Sequence, residues 1–252
     1  MAGHSKWANI KHKKGRADAK RGKIFTRISK ELTIASREGG SDADSNPRLR
    51  LAIQNARSVN MPNDNIIRAI KKGTGEIEGV TYEEITYEGY APNGIAIIIE
   101  TVTDNKNRTV SEIRALMSRN GGNLGETNSV AWNFERKGVV TIATKELSEE
   151  ELFEIVLESG AEDLEYDDEN SRVICPMEQF SVVNKFFEDK NFEITEAKLE
   201  YIAKNTVDIP TVEAAQKILK FIDVLEEHDD VQNVFSNFEI DDSIAAELED
   251  EE

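Results

Sequence analysis

The apolar residues of this chain change their spacing near Gly73, and that change divides the fold before any motif is considered. Upstream, Ile24, Phe25, Ile28, Leu32 and Ala35 recur every three or four positions and predict a helix from Lys23 to the Gly39-Gly40 stop. "SNPRLRLAIQNARSVN" predicts a second helix, with Ser45 or Asn46 as cap, Pro47 in the first turn, Leu49, Ile53 and Ala56 on one face, and Pro62 ending it. "NDNIIRAIKKG" predicts a short third, from an Asn63 or Asp64 cap to Gly73. Such helices bury their apolar stripes in a small bundle. Downstream of "GTGEIEG" the period becomes two. "TYEEITYEGY" and "GIAIIIETVT" predict strands joined near Pro92-Asn93-Gly94, "RTVSEIRALMSRNGG" a helix, and "SVAWNFERKG" another strand.

From residue 138 to 199 the order reads strand, helix, strand, strand, helix, strand: "VVTIAT", "SEEELFEIVLESG", "AEDLEYD", "SRVICP", "MEQFSVVNKFFEDKN" and "FEITEAKL". That is the order of a split-βαβ sandwich. "EYIAKNTVDI", the helix "TVEAAQKILKFIDVLEEH" and "DVQNVFSNFEI" then supply the second half that the strands before residue 138 lack. The expected fold class is therefore α+β with three domains, an N-terminal helical bundle followed by two α+β sandwich domains, the third inserted in the second. The expected bounds are 1–79 for the basic arm and bundle, 80–137 plus 200–240 for the middle domain, and 138–199 for the insert. Residues 241–252 are expected to be a solvated or weakly helical acidic tail.

Charge is segregated along the chain. The net charge is −18, yet residues 1–30 hold ten Lys and Arg against one acid, Asp18. Residues 1–72 carry a net +11 and residues 73–252 a net −29. A sign asymmetry of this kind points to a polyanion partner for the basic end. Upstream of Lys23 there is little to bury beyond Trp7, Ile10 and a few alanines, so residues 1–22 are expected to be a mobile arm when free. Lys and Arg release counterions on meeting phosphates, and Trp7 among them can stack on a base or sugar. A weaker basic group, "DNKNRT" with Arg114 and Arg119, reads as a loop and the helix after it.

Other chemistry finds little footing. His4, His12 and His228 have no Cys or His at ligand spacing, so no metal is expected. "NGGNLGET" lacks both P-loop and dinucleotide-binding spacing and reads as a turn between helix and strand. The single Cys175 excludes an internal disulfide and reads as a small core residue. No apolar run follows the basic start and the longest, "GIAIIIETV", is too short to span a bilayer, so a cytoplasmic protein with no membrane partner is expected.

"MAGHSKWANIKHKKGRADAKRGKIFTRISKEL", "DADSNPRLRLAIQNARSVNMPNDNIIRAIKKGTG", "YEGYAPNGIAIIIETVTDNKNRT" and "NGGNLGETNSVAWNFERKG" resemble the YebC/PmpR family, which includes mitochondrial translational activators of cytochrome oxidase synthesis. The resemblance covers residues 1 to about 240. It implies a three-domain α+β fold with a helical N-terminal domain, and no enzymatic activity. It carries over the arm positions Gly3, His4, Ser5, Lys6, Trp7, Ile10 and Lys11. Bacterial members of the family are described as transcriptional regulators that bind DNA, and others as ribosome-associated factors that help translation through proline-rich stretches.

The function expected is a non-enzymatic nucleic-acid-binding regulator of gene expression, with DNA-binding control of transcription first and a ribosome-associated RNA-binding translation factor as the alternative. The alternative has a physical point in its favour, since no helix offers Asn, Gln and Arg at base-reading spacing, whereas a basic arm with glycines suits folded RNA. The expected contacts are His4, Ser5, Lys6, Trp7, Lys11, His12, Lys13, Lys14, Arg16, Lys20, Arg21, Lys23, Arg27, Lys106 and Arg108. The expected partners are DNA, ribosomal RNA or both, with the ribosome as the partner that the alternative implies. No cofactor and no small-molecule substrate are expected.

Overall fold

The computed structural model describes residues 18–250, and the chain is α+β, an N-terminal helical domain followed by a two-part region of mixed helix and sheet. It forms two compact units, Arg16–Val80 with Arg136–Glu200, and Thr81–Glu135 with Tyr201–Glu252. The arm expected to be mobile spans residues 1–22, of which 1–17 lie outside the described residues. Its remaining part is helical, because α1 runs Asp18–Gly39 rather than from Lys23. Ala19, Lys20 and Arg21 are good helix formers, and so the helix reaches back before Lys23.

In the helical domain α2 (Pro47–Ser58) and α3 (Asn63–Gly73) both pack on α1. Asn46 resolves the choice of cap for α2. Its Oδ1 accepts from Leu49 N at 3.1 Å while its Nδ2 donates to Ala35 O at 2.7 Å and Gly40 O at 2.9 Å, so one buried amide closes α1 and opens α2. At the start of α3, Pro62 occupies the cap position with no side-chain bond, so neither Asn63 nor Asp64 serves. The far end of α3 is held by hydroxyls: Thr33 Oγ1 donates to Ala69 O at 3.1 Å and Ser36 Oγ to Ile70 O at 3.2 Å. Gly73 permits that approach, since a Cβ there would stand 2.0 Å from Ser36 Oγ and 2.2 Å from Thr33 O.

Still in this unit, a four-stranded sheet has the order β5-β6-β4-β7, from β4 (Phe134–Ala143), β5 (Asp163–Glu165), β6 (Asn170–Pro176) and β7 (Ile194–Ala203). With α5 (Glu149–Ser159) and α6 (Phe180–Asp189), this is the split-βαβ arrangement. Val140, Ile142, Val173 and Cys175 meet Leu152 and Val156 of α5 and Phe180, Val183 and Phe187 of α6. Arg172 is buried and donates to Glu165 Oε2 and Glu200 Oε2, both at 2.5 Å. Its burial favours the neutral guanidine, and the pull of Glu200 and Glu165 outweighs that, holding it charged above its ordinary range.

The helical domain docks on this sheet through α2. Leu51 joins the sheet's core, Gln54 Oε1 accepts from Asn184 Nδ2 of α6 at 3.1 Å, and Asn55 seals the edge strand β7. Its Nδ2 donates to Ala197 O at 2.7 Å and its Oδ1 accepts from Ala197 N at 3.0 Å, so one side-chain amide substitutes for a missing neighbouring strand.

The other unit is built on β1 (Glu83–Tyr90), β2 (Ala96–Thr103), β3 (Asn123–Leu124) and β9 (Val231–Ser236), antiparallel in the order β3-β1-β2-β9. Central β2 is covered on both faces, which explains its unbroken apolar run. Ile97 and Ile99 face α4 (Lys106–Arg119) and α7 (Val212–Glu226), while Ala96 and Ile98 meet Val130, Phe134 and Phe235. A two-stranded parallel pair of β8 (Val207–Asp208) and β10 (Phe238–Glu239) lies beside them in the same unit.

Four expectations change here. "FEITEAKL" and "EYIAKNTVDI" do not form separate strands at their junction, because β7 runs unbroken across residues 199 and 200. "SVAWNFERKG" and "VVTIAT" are not two strands: residues 131–133 form a single 3₁₀ turn, and β4 runs unbroken from Phe134. "DNKNRT" is not a loop leading to a helix, because Asn105 Oδ1 accepts from Arg108 N at 3.1 Å and starts α4 at Lys106. The acidic tail is not simply solvated. Its residues 242–250 are helix α8 (Asp242–Asp250), with Ile244 and Leu248, one turn apart, buried in the core under α7. Asp241 Oδ1 caps it by accepting from Ile244 N at 3.0 Å.

Candidate nucleic-acid interface

Of the expected contacts, His4, Ser5, Lys6, Trp7, Lys11, His12, Lys13, Lys14 and Arg16 lie outside the described residues. Lys20, Arg21, Lys23 and Arg27 all fall on α1. Lys20, Lys23, Arg27 and Lys30 recur at three- and four-residue spacing, which places these positions along one side of the helix. Lys23 is exposed, Arg27 half-buried and Lys30 buried, and all three already have partners within the chain. Arg21 is exposed with its guanidinium 5.4 Å from the centre of the half-buried Phe25 ring, so a cation and an aromatic face sit together on α1. Phosphates arriving here would exchange with those internal partners.

The same domain exposes Arg57, Arg68, Lys71 and Lys72 on α2 and α3, cations that the expected contacts omit. Their signal was present in the helical spacing, because each falls off the apolar stripe. Arg57 and Lys71 and Lys72 sit in last turns, where the helix dipole favours a cation.

Lys106 and Arg108 lie elsewhere, in the first turn of α4. Lys106 is exposed. Arg108 donates to Asp230 Oδ2 at 2.8 Å and Asp104 Oδ1 at 2.9 Å, and its hydrogen bond to Asp230 raises its pKa above the ordinary value. Buried Asp230 also accepts from Thr109 Oγ1 at 2.8 Å. His228 belongs to this cluster: Asp230 N donates to its Nδ1 at 3.1 Å, which leaves Nε2 to donate to Glu112 Oε2 at 2.8 Å. The guanidinium of Arg108 ties α4 to the start of β9, a structural task. Arg114 and Arg119 are exposed farther along α4.

Glu88 on β1 is not among the expected residues. Its buried carboxylate accepts from Asn128 N at 2.7 Å and from Val130 N and Ala131 N at 2.8 Å each, pinning the turn that follows "NGGNLGET". Three backbone donors on one carboxylate leave no signature in local spacing, since 40 residues separate Glu88 from Asn128. Among the described residues no group of three or more His, Cys, Asp and Glu is placed to hold a metal ion, and no helix is long and apolar enough to cross a membrane.

Known proteins resemble the chain along nearly its whole length. A probable transcriptional regulatory protein of Syntrophomonas wolfei is 56% identical over 251 residues, covering 98% of this chain and 100% of the relative. One of the same description from Chlorobaculum parvum is 54% identical over 252 residues, covering 100% of both. The crystal structure of a conserved hypothetical protein from Aquifex aeolicus superposes with a TM-score of 0.84 at 46% identity, covering 89% of this chain and 93% of that one. Residues 5–76 match the TACO1/YebC protein N-terminal domain and residues 82–238 the TACO1/YebC second and third domain, and the gap between the matches contains the boundary at Val80 where the two units part. The domain matches, the relatives and the shared fold agree that this chain belongs to the TACO1/YebC family.

Proposed function

We propose that the chain is a non-enzymatic regulator of gene expression that binds nucleic acid in the cytoplasm through its basic arm, residues 1–17, and the adjoining turns of α1. The observation that carries this reading is the concentration of cations at Lys20, Arg21, Lys23 and Arg27 on a helix that continues the basic run, in a chain of net charge −18. An acidic body keeps all but that end away from a polyanion. Control of transcription through DNA comes first, because relatives that match the whole chain are named probable transcriptional regulatory proteins.

A ribosome-bound role is the second reading. It is favoured by the chemistry of the described helix α1, which exposes the cations Arg21, Lys23 and Arg37 and contains no Asn or Gln to read base edges. The two readings part in one experiment: sedimentation of the tagged full-length protein through a lysate gradient, beside footprinting on promoter DNA. A footprint with a specificity ratio above about 10³ and absence from ribosomal fractions supports transcriptional control. Weak, sequence-indifferent duplex binding with co-sedimentation that is lost in Trp7→Ala combined with Lys6→Ala supports the ribosome. Absence of both overturns the nucleic-acid reading.

A further inference from the structure

Trp132 is 68% exposed, the most open of the large apolar side chains among the described residues, and yet its indole and the turn that carries it are tied down by hydrogen bonds. Its Nε1–H donates to Ser129 O at 3.0 Å, and the same carbonyl accepts from the Tyr90 hydroxyl at 3.2 Å. The turn beneath it hangs on the buried carboxylate of Glu88 through three backbone N–H groups. On one side Val130 plugs the turn into the core of Phe134 and Phe235. On the other, Asn133 is buried, its Nδ2 donating to Asn205 O at 2.9 Å and its Oδ1 accepting from Asn205 N at 3.0 Å.

Burying a carboxylate is costly unless its bonds are all made. Here they are made, and what they fix in place is an indole facing water. Because the indole N–H is satisfied internally, only the ring's faces and apolar edge remain for a partner. A ring face of this kind attracts cations, arginine above all. The surrounding unit strengthens that choice: Thr81–Glu135 with Tyr201–Glu252 holds 23 acidic and seven basic residues, a net of −16, which repels phosphates and draws in cations.

We infer that Trp132 is the anchor of a second binding surface, which takes an arginine-bearing segment of a partner protein by stacking of the guanidinium on the indole. This goes beyond the nucleic-acid reading, uses a different unit, and stands or falls separately from it. Glu88 is a positioning residue for this surface, since it acts through the turn and leaves contact with the partner to Trp132.

The chain has two tryptophans, Trp7 and Trp132, so full-length protein labelled with 5-fluorotryptophan gives two fluorine resonances, assigned by the one that disappears in Trp132→Phe. Titration with an oligo-arginine peptide should move the Trp132 resonance saturably. An oligo-lysine of equal length should move it less, and Trp132→Ala should weaken oligo-arginine binding roughly three- to tenfold. Trp132 is exposed, so that variant keeps the fold, and unchanged thermal unfolding verifies this. A Trp132 resonance that stays still at peptide saturation overturns the inference. So does movement caused by a single-stranded oligonucleotide, alone or beside the peptide, which would reassign the ring to nucleobases.

Discussion

Single side chains in this protein close gaps that no local sequence pattern announces. Glu88 is the clearest. Glu88→Ala leaves three backbone donors without their acceptor, and a cost of about 3 kcal/mol is expected in urea denaturation, with Glu88→Gln losing less because its amide oxygen still accepts. Cys175 gives the pH-dependent case. Burial, reinforced by Glu162 and opposed by Lys137, pushes its thiol up to about 11 from an ordinary 9.0. A folded pKa above the unfolded one favours the protonated form in the native state. The contribution is therefore complete below pH 9 and declines as pH rises towards 11. Stability should fall across that window and Cys175→Ala should flatten the fall, while a thiol reagent at pH 8 should react only as fast as the surrounding sheet opens. The sequence made Cys175 legible as a core residue, since "RVICP" is an apolar strand. It could not show that Arg108 and His228 are absorbed by Asp230 and Glu112, because 122 residues separate Arg108 from Asp230 and their pairing exists only after folding.

Among elements, the three helices and most strands were legible from apolar spacing, and the errors fall where two signals overlap. Phe134 continues directly into the next strand, so a turn at residues 131–133 was hidden inside a run of strand formers. The tail misled in the opposite way: its seven acids dominated the composition, although Ile244 and Leu248 at one-turn spacing were enough for a docked helix. Leu248→Ala should cost about 2 kcal/mol and Asp241→Ala about 1 kcal/mol through the lost cap, both read as shifts in the denaturation midpoint. Asn55 is the element-scale test of docking. Asn55→Ala unpairs both backbone groups of Ala197, a residue with no exposed surface, and should lower stability by about 1–3 kcal/mol and speed exchange of the Ala197 amide.

At the scale of the whole molecule, the opposed charges of the two ends govern binding. If about six to eight cations of the basic run meet phosphates, log affinity should fall against log salt with a slope of roughly −4 to −7. Changing Lys11, Lys13, Lys14 and Arg16 to Ala should flatten it by about 3 to 4 units, alike for every sequence tested. An unchanged slope would remove the arm from the interface. The split-βαβ sheet offers a second test, because β4 and β7 extend past residues 138–199 at both ends. A fragment of residues 134–203 should unfold cooperatively in urea, with a higher midpoint than 138–199, which cuts both strands short. The binding end was legible in the sequence as charge. The reach of the strands was not, since composition changes little across Lys137 or Glu200.

Asn55 also carries a schedule. It lies 142 residues ahead of Ala197, so at ordinary rates of about 5–20 residues per second it leaves the ribosome roughly 7 to 30 seconds before the strand that it seals. The plug is made first and β7 comes last of the sheet's four strands, so the open edge has its stopper waiting when it is born. A newly made chain thereby gives its neighbours on the same message little time to pair with that edge, a protection owed to the order of synthesis as much as to the bond itself.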